Sequence, residues 1–372
     1  MKKSYIIIFS GFNFRAIIAF IRTLESLEVP YGIIAKDNSD EIFQTIYRKN
    51  VLAIRQKVLL DLKDLIRTIL IVQEKNATSD YTYIIAPSTE ALNRFILEYL
   101  EFFKKINCVF PTVSKKLYET ISDKYSFSQL CKKYNINIPE EYTSINNINF
   151  PVVAKPKKYF AKDKNIYSPQ IIYNKKDLKK FQTYYSIDDF YFQEYISGKS
   201  IYLLYYFNKD QKVFKFSQEN LIQQENGGSM ILSRSAKYHS EFISRKFENL
   251  FIDLAFRGLV MIELKLVSNQ FYMIEANPRF WGPSQLFVDA NINFFRYFLD
   301  DYSVAYNQKK VFEPKDNIIY FWDDGISYNI NGRKNLLFYN YTRKEFLEDK
   351  LKFKKNEVYN RFDSIKLYKG KK

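Results

Sequence analysis

Two apolar stretches at the start of the last third of the chain, each closing on a glutamate, constrain the fold most. VMIE ends at Glu263 and FYMIE ends at Glu275, and both have the composition of β-strands. The residues LVSNQ between them are typical of a turn, so the stretches are predicted to form a hairpin. Asn277 and Arg279 follow at intervals of two, and alternate residues of an extended chain face the same side. The hairpin therefore places two carboxylates and an amide oxygen together.

Oxygen donors grouped in this way suit Mg²⁺, which commonly takes one or two protein carboxylates and completes its shell with phosphate oxygens and water. The alternative is a hairpin whose two glutamates face solvent and bind nothing. The segment Asn-Pro-Arg-Phe-Trp-Gly (277–282) follows directly. That segment favours a metal site over the solvent-facing alternative.

The composition excludes several classes of protein. A hydrophobic content of 47% with 26% charged residues is typical of a globular protein, and no uncharged apolar run approaches the roughly 20 residues of a membrane span. One histidine, His239, argues against a His-based metal site, and two cysteines predict no disulfide framework and a cytoplasmic setting. The formal charge of +16 would suit a nucleic-acid binder. The lysines are spread along the whole chain, however, so nucleic acid is not the expected partner.

The first third of the chain alternates short apolar strands with amphipathic helices. The helical spacing of apolar residues covers 14–27 and 59–73. The predicted strands are 5–9, 31–35, 51–54 and 81–86. This alternation predicts a parallel sheet with right-handed crossovers, which binds ligands at the carboxyl ends of its strands.

The hairpin resembles the metal-binding segment of the ATP-grasp superfamily, in which a Glu on one strand precedes Glu-x-Asn-x-Arg on the next. The longer string EANPRFWGPSQL resembles a carboxylate–amine ligase branch of that superfamily. The resemblance implies that Glu263, Glu275 and Asn277 hold one or two Mg²⁺ ions, with Mn²⁺ as an alternative, against the phosphates of ATP. It also implies that Arg279 contacts the transferred phosphoryl group or an acyl phosphate.

Two upstream lysines fit the same family pattern. Lys124 stands in an Asp-Lys pair on a predicted helix within 122–142, and Lys155 ends the apolar strand FPVVAKP. The resemblance implies that both reach the phosphates of ATP. The alternatives are a solvated helix lysine for Lys124 and an edge-strand lysine for Lys155. Burying an unpaired lysine is costly, which makes Lys155 the more unusual of the two.

The segment 190–208 resembles the adenine-binding hinge of the family. Gln193 would lie near the adenine amino group, and the backbones of Glu194 and Ile196 would bond the purine edge. The alternative is a simple hairpin with a turn at Ser-Gly. Two departures stand out: the stretch KPKKYFAKDKN after Lys155 lacks the usual glycines, and Ser200 replaces an acid that usually holds the ribose.

A glycine pair interrupts the strand pattern in the segment 225–229, which we call the glycine loop. Paired glycines are typical of a flexible turn. The competing interpretation is a loop facing the substrate, in which Gly227, Gly228, Ser229 and the following Arg234 contact the acceptor or the acyl phosphate. Both interpretations stay open at this stage.

Taken together, these features predict an α/β fold in which an N-terminal Rossmann-like (pre-ATP-grasp) domain precedes a two-lobed α+β ATP-grasp domain. The expected units are a pre-ATP-grasp domain (1–115), an N-lobe (116–188), a C-lobe with the metal site (189–310) and a C-terminal extension (311–372). The expected function is an ATP- and Mg²⁺-dependent ligase that joins a small-molecule carboxylate to an amine, either as a monomer or as a homodimer. The alternatives are a kinase or carboxylase-like enzyme that forms no amide, and a catalytically silent nucleotide-binding module.

Overall fold

Three β-sheets follow one another along the part of the chain that the structure describes. The structure is a computed structural model and describes residues 3–76, 80–225, 227–307, 313–326 and 335–370. One residue of the glycine loop, Asn226, lies outside these ranges.

The first sheet is parallel, as the alternating pattern predicted, with the strand order β3-β2-β1-β4-β5. The strand β2, and β1 from Tyr5 onward, are apolar and buried because parallel strands are covered by helices on both faces. The elements are β1 (Lys3–Phe9), α1 (Phe14–Ser26), β2 (Tyr31–Ala35), β3 (Val51–Ile54), α2 (Leu62–Lys75), β4 (Tyr81–Ile85), α3 (Glu90–Glu98), α4 (Leu100–Lys105) and β5 (Cys108–Val109).

A pair of helices leads into a second, antiparallel sheet with the order β6-β9-β7-β8. Lys155 lies on β7, which is flanked by β9 and β8, so the edge-strand interpretation of this lysine is wrong. The elements are α5 (Lys115–Ser122), α6 (Lys124–Lys133), β6 (Glu141–Tyr142), β7 (Val152–Pro156), β8 (Gln170–Ile172), α7 (Lys175–Tyr184) and β9 (Phe190–Glu194).

The third sheet is larger and antiparallel, with the order β14-β13-β10-β11-β12-β15 and with β16 paired to β11. The predicted hairpin is present as β13 and β14. The elements are β10 (Lys199–Phe207), β11 (Val213–Gln224), β12 (Met230–Ala236), α8 (Phe242–Asp253), β13 (Gly258–Val267), β14 (Gln270–Asn277), α9 (Gln285–Asp289), α10 (Phe294–Asp301), β15 (Ile319–Phe321), β16 (Leu336–Phe338), α11 (Arg343–Phe353) and α12 (Ile365–Gly370).

The strands β9 and β10 do not pair with each other. β9 pairs with β6 and β7 in the second sheet, whereas β10 pairs with β11 and β13 in the third. The simple-hairpin interpretation of residues 190–208 is therefore wrong. Residues 195–198 instead carry the chain from one sheet to the other, which is the geometry of a hinge.

The described residues after 313 pack back onto the rest of the chain. β15 extends the third sheet beside β12. Asp363, before α12, receives two hydrogen bonds from the Arg22 guanidinium, both 2.7 Å long, and one from the Tyr47 hydroxyl, also 2.7 Å. The side chain of Asp363 is 2% exposed and that of Arg22 10%. A buried, bidentate ion pair thus holds the C-terminal region against α1.

One hydrophobic core joins the first sheet, the third sheet and the C-terminal region. It includes Phe20 of α1, Tyr202 of β10, Phe280 after β14 and Tyr359 before α12. Phe20 and Phe280 pack at a ring distance of 5.0 Å. The residues just after the predicted metal strand are therefore held against α1.

We expect Asp363→Ala to lower the free energy of unfolding by about 3 kcal/mol or more, because it leaves a buried guanidinium without its carboxylate. Urea unfolding followed by circular dichroism measures this change. The matched control is Asp188→Ala, which removes an exposed carboxylate paired with Lys162 and should leave the unfolding midpoint unchanged. Equal effects of the two substitutions would contradict the structural role of Asp363.

Candidate functional site

The hairpin β13–β14 brings the predicted metal-binding side chains onto one face. Its turn contains Ser268 and Asn269, both with positive φ (45° and 65°), as a tight two-residue hairpin turn requires. Glu263 lies directly opposite Glu275, and Met261 lies opposite Asn277. Because directly opposite residues share a face of the sheet, the two carboxylates and the amide face the same side.

A β-bulge sits beside this pair. The register shifts between Glu263 and Leu264, which leaves Ile274 without a direct partner on β13. The Ile274 carbonyl accepts a hydrogen bond from Lys155 Nζ at 3.0 Å. Bulges commonly redirect groups next to functional sites, and this one gives the second sheet a polar contact with the third.

Short polar contacts link four of the predicted site residues. Lys124 Nζ lies 2.6 Å from Glu275 Oε2. Asn277 Nδ2 donates to Glu275 Oε1 at 2.8 Å, and Arg279 donates to Asn277 Oδ1 at 3.1 Å. The interpretation of Lys124 as a solvated helix lysine is therefore wrong, since it forms an ion pair across to β14.

The two carboxylates have opposite pKa shifts. Burial acts to raise the pKa of Glu275, but Lys124, then Asn277 and Arg279, bring it well below its ordinary value. Burial raises the pKa of Glu263 above its ordinary value; Lys265 lowers it and Glu275 raises it further. The charge of the hairpin is thus concentrated on Glu275.

The pKa values of the two lysines also shift in opposite directions. Burial alone would lower the pKa of Lys124, but the carboxylates of Glu275 and then Glu90 raise it above its ordinary value. Burial, followed by repulsion from Lys124, lowers the pKa of Lys155 from 10.5 to about 8. Lys155 is only 4% exposed, and its recorded hydrogen bond goes to a neutral carbonyl. Lys155 therefore carries a charge that is poorly compensated in the unliganded protein.

A cleft between the second and third sheets, which we call the inner cleft, contains most of the predicted ATP-binding residues. Lys124, Lys155, Glu194 and Ile196 line it, together with apolar side chains and both glutamates of the hairpin. Gln193 is buried and lies opposite Val153, a residue of the cleft wall. Its Oε1 has no hydrogen-bond partner among the described residues. A buried acceptor without a donor fits a ligand that carries an amino group.

Part of the inner cleft is filled by β16 and by the residue that follows it. Leu337 and Tyr339 line it, and the Tyr339 ring lies 3.9 Å from Lys265 Nζ. The remaining space is about 100 Å³, whereas pockets for small molecules are typically about 300–1,000 Å³. Entry of a nucleotide therefore requires these side chains or the two sheets to move apart.

A wider cleft of about 770 Å³, the outer cleft, lies on the other side of Glu275. Glu275, Asn277 and Arg279 line it, together with the glycine-loop residues Gly227, Gly228 and Ser229. Glu275 and Gly227 line both clefts. The structure thus brings the glycine loop next to the predicted metal-binding residues.

Arg234 does not join this group. It lies four residues beyond Met230 on β12, about 13 Å along an extended strand, and its guanidinium pairs with Glu219 at 2.8 Å. Arg234 is not among the residues that line either cleft in the described part of the chain. The prediction that it faces the acceptor is therefore corrected by its position along the strand.

Several cleft residues escaped the sequence reasoning. Lys265 lines the inner cleft two residues beyond Glu263, and the period of two along a strand could have revealed it. Arg15 lines the outer cleft from α1, donates to the Met230 carbonyl at 2.9 Å and lies 3.8 Å from the Trp322 ring centre. Gly282 is packed against Arg15, since a Cβ there would lie 2.8 Å from the guanidinium. No sequence signal joins residues 15, 230 and 322.

The donor set fits a nucleotide with a divalent cation. Two carboxylates and an amide oxygen share a face, and two lysines approach it, Lys124 from α6 and Lys155 from β7. Within the described ranges, no group of three or more His, Cys, Asp or Glu side chains forms a metal site. Two carboxylates and an amide are too few to fill the shell of Mg²⁺, which in such sites is completed by phosphate oxygens and water.

Comparison with known proteins agrees with this geometry. Residues 121–283 match the model of the ATP-grasp domain. This part of the chain is an ATP-grasp domain. The match contains Lys124, Lys155, the hinge and the β13–β14 hairpin, so the predicted fold class is confirmed. None of the curated protein sequences compared with the chain matches it.

Solved ATP-grasp-like structures resemble the chain well beyond the matched domain. N5-carboxyaminoimidazole synthetase from Staphylococcus aureus has a TM-score of 0.63 at 14% identity, covering 89% of this chain and 86% of its own. The biotin carboxylase domain dimer of 2-oxoglutarate carboxylase from Hydrogenobacter thermophilus, solved with MgADP, ADP and bicarbonate, has a TM-score of 0.61 at 12% identity, covering 86% and 73%. At these identities the likeness concerns the fold.

A third structure, Rhizobium etli pyruvate carboxylase, has a TM-score of 0.60 at 14% identity and covers 82% of this chain. The chain spans only 29% of that protein's length. Among the helices of the described residues, none combines the length and the apolar composition of a membrane span.

We expect Lys155→Met to stabilise the unliganded protein at pH 7. The difference between 10.5 and about 8 in the pKa of Lys155 corresponds to about 3 kcal/mol, of which about 1 is offset by the lost hydrogen bond to Ile274. The pKa is depressed on folding, so the cost of the buried charge is complete below about pH 8 and disappears as the pH rises toward 10.5. Urea unfolding at several pH values measures this trend.

The matched control is Lys158→Met, which replaces an exposed lysine three residues along the chain. This variant should unfold like the wild type at every pH. A stabilisation by Lys155→Met that did not shrink at alkaline pH would show that the gain comes from packing and not from the buried charge.

Proposed function

We propose that this protein is an ATP- and Mg²⁺-dependent ligase that activates a carboxylate for attack by an amine. The observation that carries the proposal is the position of Glu275. It lines both clefts and is held by Lys124, Asn277 and, through Asn277, by Arg279. A residue in that position can act on a nucleotide in the inner cleft and on a second substrate in the outer cleft.

The proposed reaction has two steps. A carboxylate oxygen of the first substrate attacks the γ-phosphorus of ATP, the bond to the bridging oxygen breaks, and ADP leaves. The nitrogen of the amine then attacks the carbonyl carbon of the acyl phosphate, inorganic phosphate leaves, and the nitrogen loses a proton. Phosphorylation is needed because oxide is a poor leaving group and phosphate is a good one.

The protein's contribution is positioning and neutralisation of charge. Lys124 of α6 and Lys155 of β7 line the inner cleft and would neutralise phosphate oxygens. Arg279, in the outer cleft, would contact the transferred phosphoryl group. Mg²⁺ held by Glu263, Glu275 and Asn277 would withdraw charge from the phosphates.

The hinge residues would hold the base of the nucleotide. Glu194 at the end of β9 and Ile196 in the segment that crosses between the two sheets line the inner cleft. The Oε1 of Gln193, which has no partner among the described residues, suits the adenine amino group. Ser200 is buried and accepts a hydrogen bond from Asn220 at 2.9 Å. It supplies no carboxylate for the ribose, so the base and the phosphates carry most of the recognition.

The mechanism requires no covalent nucleophile on the protein. Burial raises the pKa of the Cys108 thiol to about 12, and burial also raises that of Cys131. Both thiols are therefore protonated at neutral pH and poor nucleophiles.

A second candidate is carboxylation with bicarbonate as the carboxylate. It is favoured by the names of the similar structures, which include carboxylases and one complex with bicarbonate.

A third candidate is a silent nucleotide-binding module, favoured by the small space that Leu337 and Tyr339 leave in the inner cleft. A homodimer and a cytoplasmic setting stay predictions.

We expect Glu275→Gln to reduce ADP release at least about 100-fold, because it removes a carboxylate that would hold Mg²⁺ against the phosphates. Coupled ADP detection, with ATP–Mg²⁺ and pooled carboxylates in the presence or absence of pooled amines, measures the reaction. Arg279→Leu tests the site without disturbing the Lys124–Glu275 ion pair, so a folded but inactive variant is available. The matched control is Glu101→Gln, which changes an exposed glutamate that is not among the described residues lining either cleft.

The outcomes separate the candidates. ADP release that needs an amine supports the ligase, whereas release that needs only bicarbonate or another acceptor supports the second candidate. ATP binding without ADP release under any condition supports the silent module. Full activity in both Glu275→Gln and Arg279→Leu would show that the site is elsewhere.

A further inference from the structure

A separate cavity of about 730 Å³, which we call the side cavity, lies at the carboxyl end of the first sheet. Phe9, the last residue of β1, and Ser88, just after β4, line it. β1 and β4 are neighbours, while the chain continues from β1 to β2 on the opposite side. Loops diverge at such a topological switch point, and crevices there bind ligands in parallel sheets.

The side cavity has an apolar rim and floor. Val58 and Leu59 on its rim are 82% and 81% exposed, and Phe160 is 56% exposed. Phe9 and Leu92 form part of its buried floor. Several large apolar side chains that face solvent around one concavity indicate a binding site.

The glycine-free loop after Lys155 forms one wall of this cavity. Tyr159 and Phe160 line it, and their rings contact each other at 4.8 Å. The Arg94 guanidinium of α3 lies 4.5 Å from the centre of the Tyr159 ring, and Arg94 also donates to Asp123 at 2.5 Å. The loop is thus held against α3 by an aromatic side chain at a place where the family commonly has glycines.

A polar group is available at the base of the cavity. Ser88 is 1% exposed, and its Oγ has no hydrogen-bond partner among the described residues. Buried hydroxyls are normally paired. An unpaired hydroxyl lining a cavity therefore indicates a ligand with a polar group near its apolar portion.

The side cavity adjoins the outer cleft. Phe12, Thr89 and Ala91 line both spaces. A ligand could therefore extend from the side cavity toward Glu275 and Arg279. The volume lies within the range of about 300–1,000 Å³ that is usual for small-molecule sites, so the occupant is a small molecule and not a protein segment.

We propose that the side cavity binds a bulky apolar group, aromatic or branched aliphatic, of the substrate that reacts in the outer cleft. This inference rests on the proposed function for the role of the ligand as a substrate. The cavity itself selects the apolar group, whether that group belongs to the carboxylate or to the amine.

Equilibrium binding to the whole protein tests the proposal without relying on catalysis. The probes are N-acetylphenylalanine, which keeps only the carboxylate, and phenylalaninamide, which keeps only the amine, each compared with its glycine counterpart in the presence of an unreactive ATP analogue and Mg²⁺. We expect at least one phenylalanine probe to bind about 10-fold or more tightly than its glycine counterpart. The probe that does so identifies the substrate that carries the apolar group.

The variants are Val58→Asp and Leu59→Asp, which place a charge on the rim at exposed positions and should not disturb folding. They should weaken binding of the preferred phenylalanine probe about 10-fold and leave the glycine probe unchanged. The matched control is Leu351→Asp on α11, whose side chain is 74% exposed; it should bind both probes like the wild type.

Two outcomes would overturn the proposal: equal affinity for the phenylalanine and glycine probes, or tight phenylalanine binding that the rim variants leave unchanged. Its failure is distinguishable from failure of the proposed function. If the protein prefers the phenylalanine probes but never releases ADP, the apolar site is supported and the ligase function is contradicted. If ADP release depends on an amine but the preference is absent, the ligase function is supported and the apolar site is contradicted.

Discussion

The juxtaposition of two glutamates on adjacent strands is the constraint around which the site is built. Glu263, which is buried, and Glu275, which is half-buried, lie directly opposite each other, and the negative charge concentrated on Glu275 requires positive charge nearby. That charge comes from outside the hairpin, from Lys124 on α6 and Lys155 on β7. The second and third sheets are therefore connected through groups that would bind phosphate and metal.

This arrangement leaves a buried positive charge beside the hairpin, while the inner cleft is narrow. Lys155 is buried with only a neutral carbonyl as its hydrogen-bond partner, while Lys124 is paired with Glu275. A polyphosphate with a divalent cation would supply each group with an opposite charge. Ligand binding would thereby replace an ion pair within the protein by contacts with the nucleotide, and it would also require Tyr339 and its neighbours to move out of the inner cleft.

The site also depends on contacts that lie far apart in the sequence. Asn13, which precedes α1, donates to the carbonyls of Ser88 and Phe280 at 2.8 and 3.0 Å, and so connects the first sheet to the end of the metal strand. Arg15 reaches the carbonyl that follows the glycine loop. The elements around the first sheet therefore contribute walls to the outer cleft and supply most of the residues that line the side cavity.

The sequence by itself determined the local elements and their chemistry. Strand and helix periodicity located the parallel sheet, the β13–β14 hairpin and the shared side of Glu275 and Asn277, because side-chain direction along one strand depends only on the count of residues. What periodicity cannot give is which strands pair across long stretches of chain, or where a bulge shifts the register. Regular pairing from the turn would place Glu263 opposite Ile274, and only the bulge after Glu263 places it opposite Glu275. The tertiary structure also decided that β9 and β10 belong to different sheets, that Arg234 lies beyond the cleft, and that Arg15 lines the outer cleft, since these follow from packing between segments that share no sequence pattern.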